Sequence, residues 1–299
     1  MFEARAQNPA LAAVLTLLAS ALVAGTFLLA KMLGTDTLGP ALHPLQVSQG
    51  RFVFALLAFG LAAAVIRPRF SGIAWRTHTA RVGFGWGGVT LMFAAATFIP
   101  LSDATAITFL NPVIALLLAI PLLGERVGPI RLSAAAIALI GAVILLRPTP
   151  EAFQPGAILA LCAAVFFGIE VIIIKRLSGR EGPMQILIVN NIIGVCIASV
   201  AAIWVWVMPT PAQWAALVGI GVLMAATQAC FINAIARADA SFVTPFWYAA
   251  LVFAALYDFI WYAERPDAIS IFGAAVILCG GGLLAWREAR IRPSVGSRV

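Results

Sequence analysis

The stretch Ser102-Asp-Ala-Thr105-Ala-Ile-Thr-Phe109-Leu-Asn111-Pro112 has a counterpart in the same chain. It is Ser241-Phe-Val-Thr244-Pro245-Phe-Trp247-Tyr248-Ala-Ala250-Leu251, at an offset of 139 residues. Working outward at that offset, Pro44 meets Pro183, Gln46 meets Gln185, Trp75 meets Trp214, Glu125-Arg126 meets Glu264-Arg265, and Gly141 meets Gly280. No gap is needed from residue 44 to about 146, and the start of the chain matches at an offset of 144, which pairs Lys31 with Lys175. A fixed-period self-match of this kind marks an internal repeat. The halves are residues 1–149 and 150–299.

Each half is built of apolar runs. Of the 299 residues, 63% are hydrophobic and only 10% charged, against about a quarter charged in soluble domains. So little charge cannot cover a water-facing surface, and lipid is the expected solvent. Ten runs approach the roughly 20 residues that span a bilayer: about 9–32, 44–66, 79–99, 103–122, 129–147, 155–175, 183–207, 212–235, 241–263 and 267–286. Open sheets are excluded, because lipid cannot satisfy their edge groups. The predicted fold is therefore all-α and integral to the membrane, with ten transmembrane helices as two five-helix repeats. Five is odd, so the second repeat must be inverted. Such halves enclose a central cavity at the midplane and alternate access by rocking.

Lys and Arg set the orientation. With the N-terminus in the cytoplasm, fifteen of the nineteen fall inside: Arg5; Arg67, Arg69, Arg76 and Arg81; Arg126 and Arg131; Lys175, Arg176 and Arg180; Arg237; and Arg287, Arg290, Arg292 and Arg298. Only Lys31, Arg147 and Arg265 fall at outside ends. Both termini are thus expected in the cytoplasm of a cell whose inner membrane holds the protein. The net charge of +7 is scattered between apolar runs, which argues against a nucleic-acid partner. Cys162, Cys196, Cys230 and Cys279 lie singly in apolar runs without metal-ligand spacing, and read as packing residues. The run Pro9 to Met32 is long enough to span, so it reads as an uncleaved helix.

The run from Asp103 to Pro112, then Leu-Gly-Glu125-Arg126 and Gly141-Ala-Val-Ile-Leu-Leu-Arg147-Pro148, resembles the first EamA repeat of the drug/metabolite transporter superfamily. Thr244-Pro245-Phe-Trp-Tyr248 with Ala263-Glu264-Arg265-Pro266 resembles the second, and Ile174-Lys175-Arg176 also fits. The resemblance spans nearly the whole chain. It implies ten helices, no cofactor, and export of amino acids or related small metabolites; within the family the pattern is similar to YddG-type amino-acid exporters. One departure is that Asn111-Pro112 becomes Ala250-Leu251 in the second half, so the two halves differ chemically around the cavity.

Ionisable groups inside a bilayer are costly and are functional candidates by default. Glu170, among Ile169 and Val171 to Ile174, reads as the one deeply placed acid and the candidate for proton coupling. Arg51 lies about two turns into the second helix. Its fork matches a substrate carboxylate, or it snorkels to headgroups. Snorkelling is the expectation for Lys31 and Lys175. Trp86, Phe109, Trp247 and Tyr248 fall toward helix middles, away from the interfacial belt, and are candidates for lining the cavity. Asn111 and Gln228 are candidate neutral ligands, and Asn190 and Asn191 candidate interhelical contacts. Pro112 and Pro245 are candidate hinges, since proline frees a backbone carbonyl. Glu125-Arg126 and Glu264-Arg265 read as structural pairs at helix ends.

The leading expectation is a secondary transporter with a small-molecule substrate, working as a closed ten-helix unit in lipid, which does not require a second copy. Uptake, or drug and cation efflux, on the same fold is the competing reading, although the first helix carries no acid between Pro9 and Met32. An intramembrane enzyme finds no support. His43 and His78 are the only histidines, and HExxH, GxSxG and Walker A patterns are absent.

Overall fold

A computed structural model describes residues 8–68, 70, 72–123, 128–146, 154–177, 183–238, 243 and 246–291. Among them the regular structure is helical: α1 (Pro9–Gly34), α2 (Pro44–Ile66), α3 (Trp75–Phe98), α4 (Leu101–Thr108), α5 (Asn111–Leu123), α6 (Pro129–Leu146), α7 (Pro155–Leu177), α8 (Pro183–Ala202), α9 (Pro211–Ile235), α10 (Ala249–Tyr262) and α11 (Ala268–Ile291), with a 3-10 turn at Ile203–Val205. Six of these helices open on proline, whose missing N–H and fixed φ suit a first helical position. Three of the six have a side chain closing the turn. Asn8 Oδ1 accepts from Leu11 N at 3.0 Å, His43 Nδ1 accepts from Leu45 N at 3.2 Å, and Thr210 forms a reciprocal capping box with Gln213.

Among the described residues, six segments are long and apolar enough to cross a membrane: α1, α2, the α4–α5 pair, α7, α8 and α9. Taking α4 and α5 as one interrupted helix leaves ten of these helices among the described residues. Large apolar side chains cover much of the outer surface, Leu61, Val65 and Val252 among them, as expected where lipid is the solvent. The helix ends gather on two faces. On one, here the Gly34 face, Gln46 Nε2 donates to Val207 O at 2.6 Å, Gln213 Nε2 to Pro40 O at 2.7 Å, and Thr210 Oγ1 to Leu38 O at 3.2 Å. On the other, the Pro9 face, Asn8 N donates to Arg237 O at 3.0 Å.

The fourth helix is broken, as the Asn-Pro pair predicts, but one step earlier. Phe109 and Leu110 form the break, and α5 starts at Asn111. Pro112 then occupies the tolerated first turn of α5 and leaves Thr108 O without its usual helical donor. In the second half Tyr248 is a turn residue just before α10, so the two interruptions fall at positions paired by the 139-residue offset. They also meet in space: the Phe109 and Tyr248 rings pack edge to face with centroids 5.2 Å apart. Pro245 and the Glu125-Arg126 pair lie outside the described residues.

Small residues bring α6 and α11 together. A Cβ on Gly280 would meet Ala138 N at 2.6 Å and Ala134 O at 2.7 Å, and one on Gly141 would meet Ile277 N at 2.7 Å. These neighbours are backbone and cannot rotate away, so the pairing depends on bare Cα atoms, as in small-residue membrane interfaces. Gly280→Val is therefore expected to cost about 1–3 kcal/mol, read as a lower melting temperature in detergent. An unchanged melt would contradict the close packing.

Candidate functional site

Two clusters of charge are buried among these apolar helices. The first sits near the Gly34 face. Lys31 Nζ is 3.0 Å from Asp258 Oδ1 and 2.8 Å from Glu264 Oε2, and lies 4.4 Å from the centre of the Tyr262 ring. Asp258 Oδ2 accepts from Ser102 N at 3.2 Å. This network ties α1 to α10, to the start of α4 and to the segment after α10. It corrects two expectations. Lys31 is 4% exposed and ion-paired, so it does not snorkel, because two carboxylates offer it more than headgroup water does. Glu170 is not the one deep acid either: Asp258 is 1% exposed, and Asp103 is also buried, with Oδ2 accepting from Ser270 Oγ at 2.8 Å. Glu264 pairs with Lys31, while the Arg265 guanidinium lies 5.0 Å from the Phe259 ring centre.

The second cluster lies between α2, α3 and α7. Arg81 Nε approaches Glu170 Oε1 at 3.4 Å, an ionic contact longer than a charge-assisted hydrogen bond of about 2.7–2.9 Å. Arg81 is six residues into α3 from the Pro9 face, roughly 9 Å deep, and Glu170 is seven residues from the end of α7 on that face, roughly 10 Å deep. The close approach is possible because Gly85 faces the acid; a Cβ there would stand 2.9 Å from the carboxyl atoms. Arg51 descends from the opposite face, is 5% exposed, and acts electrostatically on the same carboxylate. Its guanidinium carbon is 4.3 Å from the Phe52 ring centre. Phe52 in turn fills the space beside Gly194 of α8.

Several buried polar atoms on α2, α3 and α9 have no hydrogen-bond partner among the described residues: Arg51 Nη1, Arg81 Nε and Nη1, Trp86 Nε1, Thr90 Oγ1 and Gln228 Oε1. Buried polar groups in folded proteins are nearly always bonded, so a concentration of orphans marks a place built for something else to bind. A cavity of about 300 Å³ opens at two of them, Arg81 and Gln228, and is lined as well by Phe231, Ile174, Ile186, Leu187 and Ile232. A larger cavity of about 620 Å³ lies at the Gly34 face between the α1–α2 connection and α3. Thr90 is its one orphaned lining group, which makes the smaller cavity the richer in binding chemistry.

The remaining residues distribute as follows. Trp247 packs against Phe231, a lining residue of the smaller cavity, with centroids 4.7 Å apart and the rings tilted by 55°. Ser20 Oγ donates to the Trp247 and Phe246 carbonyls at 3.2 Å. Phe109 and Tyr248 pack with the main hydrophobic core, and neither lines the two cavities. Asn111 is half-buried at the start of α5, and Asn191 bonds within α8 to Leu187 O at 2.8 Å. Sequence reading counted Arg81 among helix-end charges and so missed the partner of Glu170. The signal was there: Gly85 follows Arg81 by one turn, on the same helix face.

A riboflavin transporter of Vibrio cholerae is 29% identical over 247 residues, covering 79% of this chain and 83% of that one. An S-adenosylmethionine uptake transporter of Rickettsia prowazekii is 26% identical over 249 residues, 81% and 82% of the two chains. A pseudopaline exporter of Pseudomonas aeruginosa is 27% identical over 189 residues, 62% and 66%. A crystal structure superposes with a TM-score of 0.60 over 92% of this chain and 99% of its own at 22% identity, a likeness of fold. These relatives are transporters and not enzymes. A model of the EamA-like transporter family matches residues 10–147 and again 154–286, and the chain belongs to that family.

Proposed function

We propose that this transporter exports amino acids or related small metabolites by alternating access, with the solute held between α2, α3, α7, α8 and α9. The observation that carries the reading is a cavity of about 300 Å³ lined by the unbonded groups of Arg81 and Gln228, with Arg81 in contact with buried Glu170 and Arg51 acting on the same carboxylate. Such a site binds a small polar solute with an apolar portion: guanidinium and amide groups for its polar end, Phe231 with Trp247 packed against it and the isoleucines for the rest. The halves 1–149 and 150–299 act as inverted repeats. Supporting this are the doubled family match and the paired interruptions at Phe109 and Tyr248. The bias of Lys and Arg supports an inner-membrane placement with both termini in the cytoplasm. Glu170 serves as the coupling group, since it is the acid that faces this set.

Relatives named for uptake as well as for export keep inward transport as the second reading. Uptake of labelled amino acids, their N-acyl derivatives, riboflavin and S-adenosylmethionine into proteoliposomes, with and without a pH gradient, tests both. Saturable movement of amino-acid-type solutes is expected. Transport confined to S-adenosylmethionine or riboflavin would overturn the substrate assignment, and absence of any flux would overturn the carrier reading for this panel.

A further inference from the structure

The charges around the proposed site do not balance. Arg51 and Arg81 bring two positive charges and Glu170 one negative, with no other acid ion-paired to either arginine among the described residues. Arg81 is in ionic contact with Glu170, so the surplus resides on Arg51. That side chain is 5% exposed, and Nη1 has no partner. Its ring contact is its own neighbour, Phe52, and the one carboxylate it acts on, Glu170, is already in ionic contact with Arg81. Arg265, by contrast, is at a helix-end segment and reaches water. A guanidinium left uncompensated in a low-dielectric interior is costly, and the cost falls when a counter-charge enters.

We infer that the solute carries one net negative charge, with a carboxylate seated on Arg51. This rests on the carrier reading above and narrows it. A zwitterionic amino acid would leave the surplus charge in place, and a cation would add to it. The favoured solutes are amino-acid-like metabolites whose amine is absent, acylated or outweighed by a second acid. A carboxylate matches the planar fork of arginine with two parallel hydrogen bonds. The inference also gives export a driving force. An anion leaving a compartment that is negative inside moves down the potential, by about 2.3 kcal/mol per charge for each 100 mV.

The test uses a matched set of one side chain in four charge patterns: anionic N-acetyl-leucine, zwitterionic leucine, cationic leucinamide and neutral N-acetyl-leucinamide. Binding to the purified full chain is read by thermal shift, and flux by efflux from loaded proteoliposomes. The expected result is binding of N-acetyl-leucine at least about tenfold tighter than of the other three, the range of a charged hydrogen bond. Its efflux should quicken when valinomycin sets the interior negative. Arg51→Gln should erase the preference, and Arg51→Lys should restore part of it. Binding of the acid without flux of any compound would uphold the anion site and overturn the carrier reading. Equal or tighter binding of leucine or either amide, or no binding of the acid, would overturn the anion site, while flux of those compounds would keep the carrier.

Discussion

Asp258→Ala is expected to give the largest loss of stability of any single change outside the proposed site. Its carboxylate holds Lys31 at 3.0 Å and caps Ser102 N at 3.2 Å, with both side chains shielded from solvent. Removing it leaves a buried ammonium with one partly exposed partner, Glu264, and an orphaned backbone donor. Breaking one side of a buried pair costs about 3–5 kcal/mol, enough to lower the melting temperature on the order of 10 °C. Glu264→Gln should cost far less, because that carboxylate is 40% exposed and largely screened. The double change Lys31→Met with Asp258→Leu should recover more than half of the loss, since both charges go together. A double variant as unstable as Asp258→Ala alone would mean that the network is not the source of the effect.

Glu170→Gln is expected to abolish most transport, by at least about tenfold, and to flatten whatever dependence on pH the wild type shows. The amide keeps the shape of the side chain, so it still fits against Gly85. It cannot counter two guanidiniums, and the variant should also melt earlier by a few degrees. Adding Arg81→Gln removes one of those charges and should restore the melting temperature without restoring the pH profile. That split separates a coupling role from a structural one. An unchanged pH profile in Glu170→Gln would end the coupling assignment.

The apolar runs were legible because each helix must satisfy its own backbone in lipid, which forces a run of about 20 residues whatever the packing. The ends of α2 agree with the reading to the residue, at Pro44 and Ile66. The break in the fourth helix was legible from Pro112. Its position was not, because the distortion falls on the residues before the proline, at Phe109 and Leu110. The charge clusters were only half legible. Lys31 and Asp258 stand 227 residues apart, and periodicity within one helix says nothing about a partner on another. A sharper rule was available: a lone acid in the apolar run Ala249–Tyr262 and a lone lysine in α1 are each too costly to stay unpaired. Arg51 and Glu170 were found by that rule. That both act on one another across the bilayer interior, and that Arg81 joins Glu170 at the cavity's edge, depends on how α2, α3 and α7 cross.

The cavity beside Gln228 as the solute's path is the claim on which the functional account turns. With the four native cysteines replaced, Gln228→Cys should react with a membrane-impermeant thiosulfonate reagent. Transport of the best-carried solute from the panel should then stop, and saturating solute should slow the reaction. Full modification with transport intact, or a reaction rate indifferent to solute, would contradict the placement.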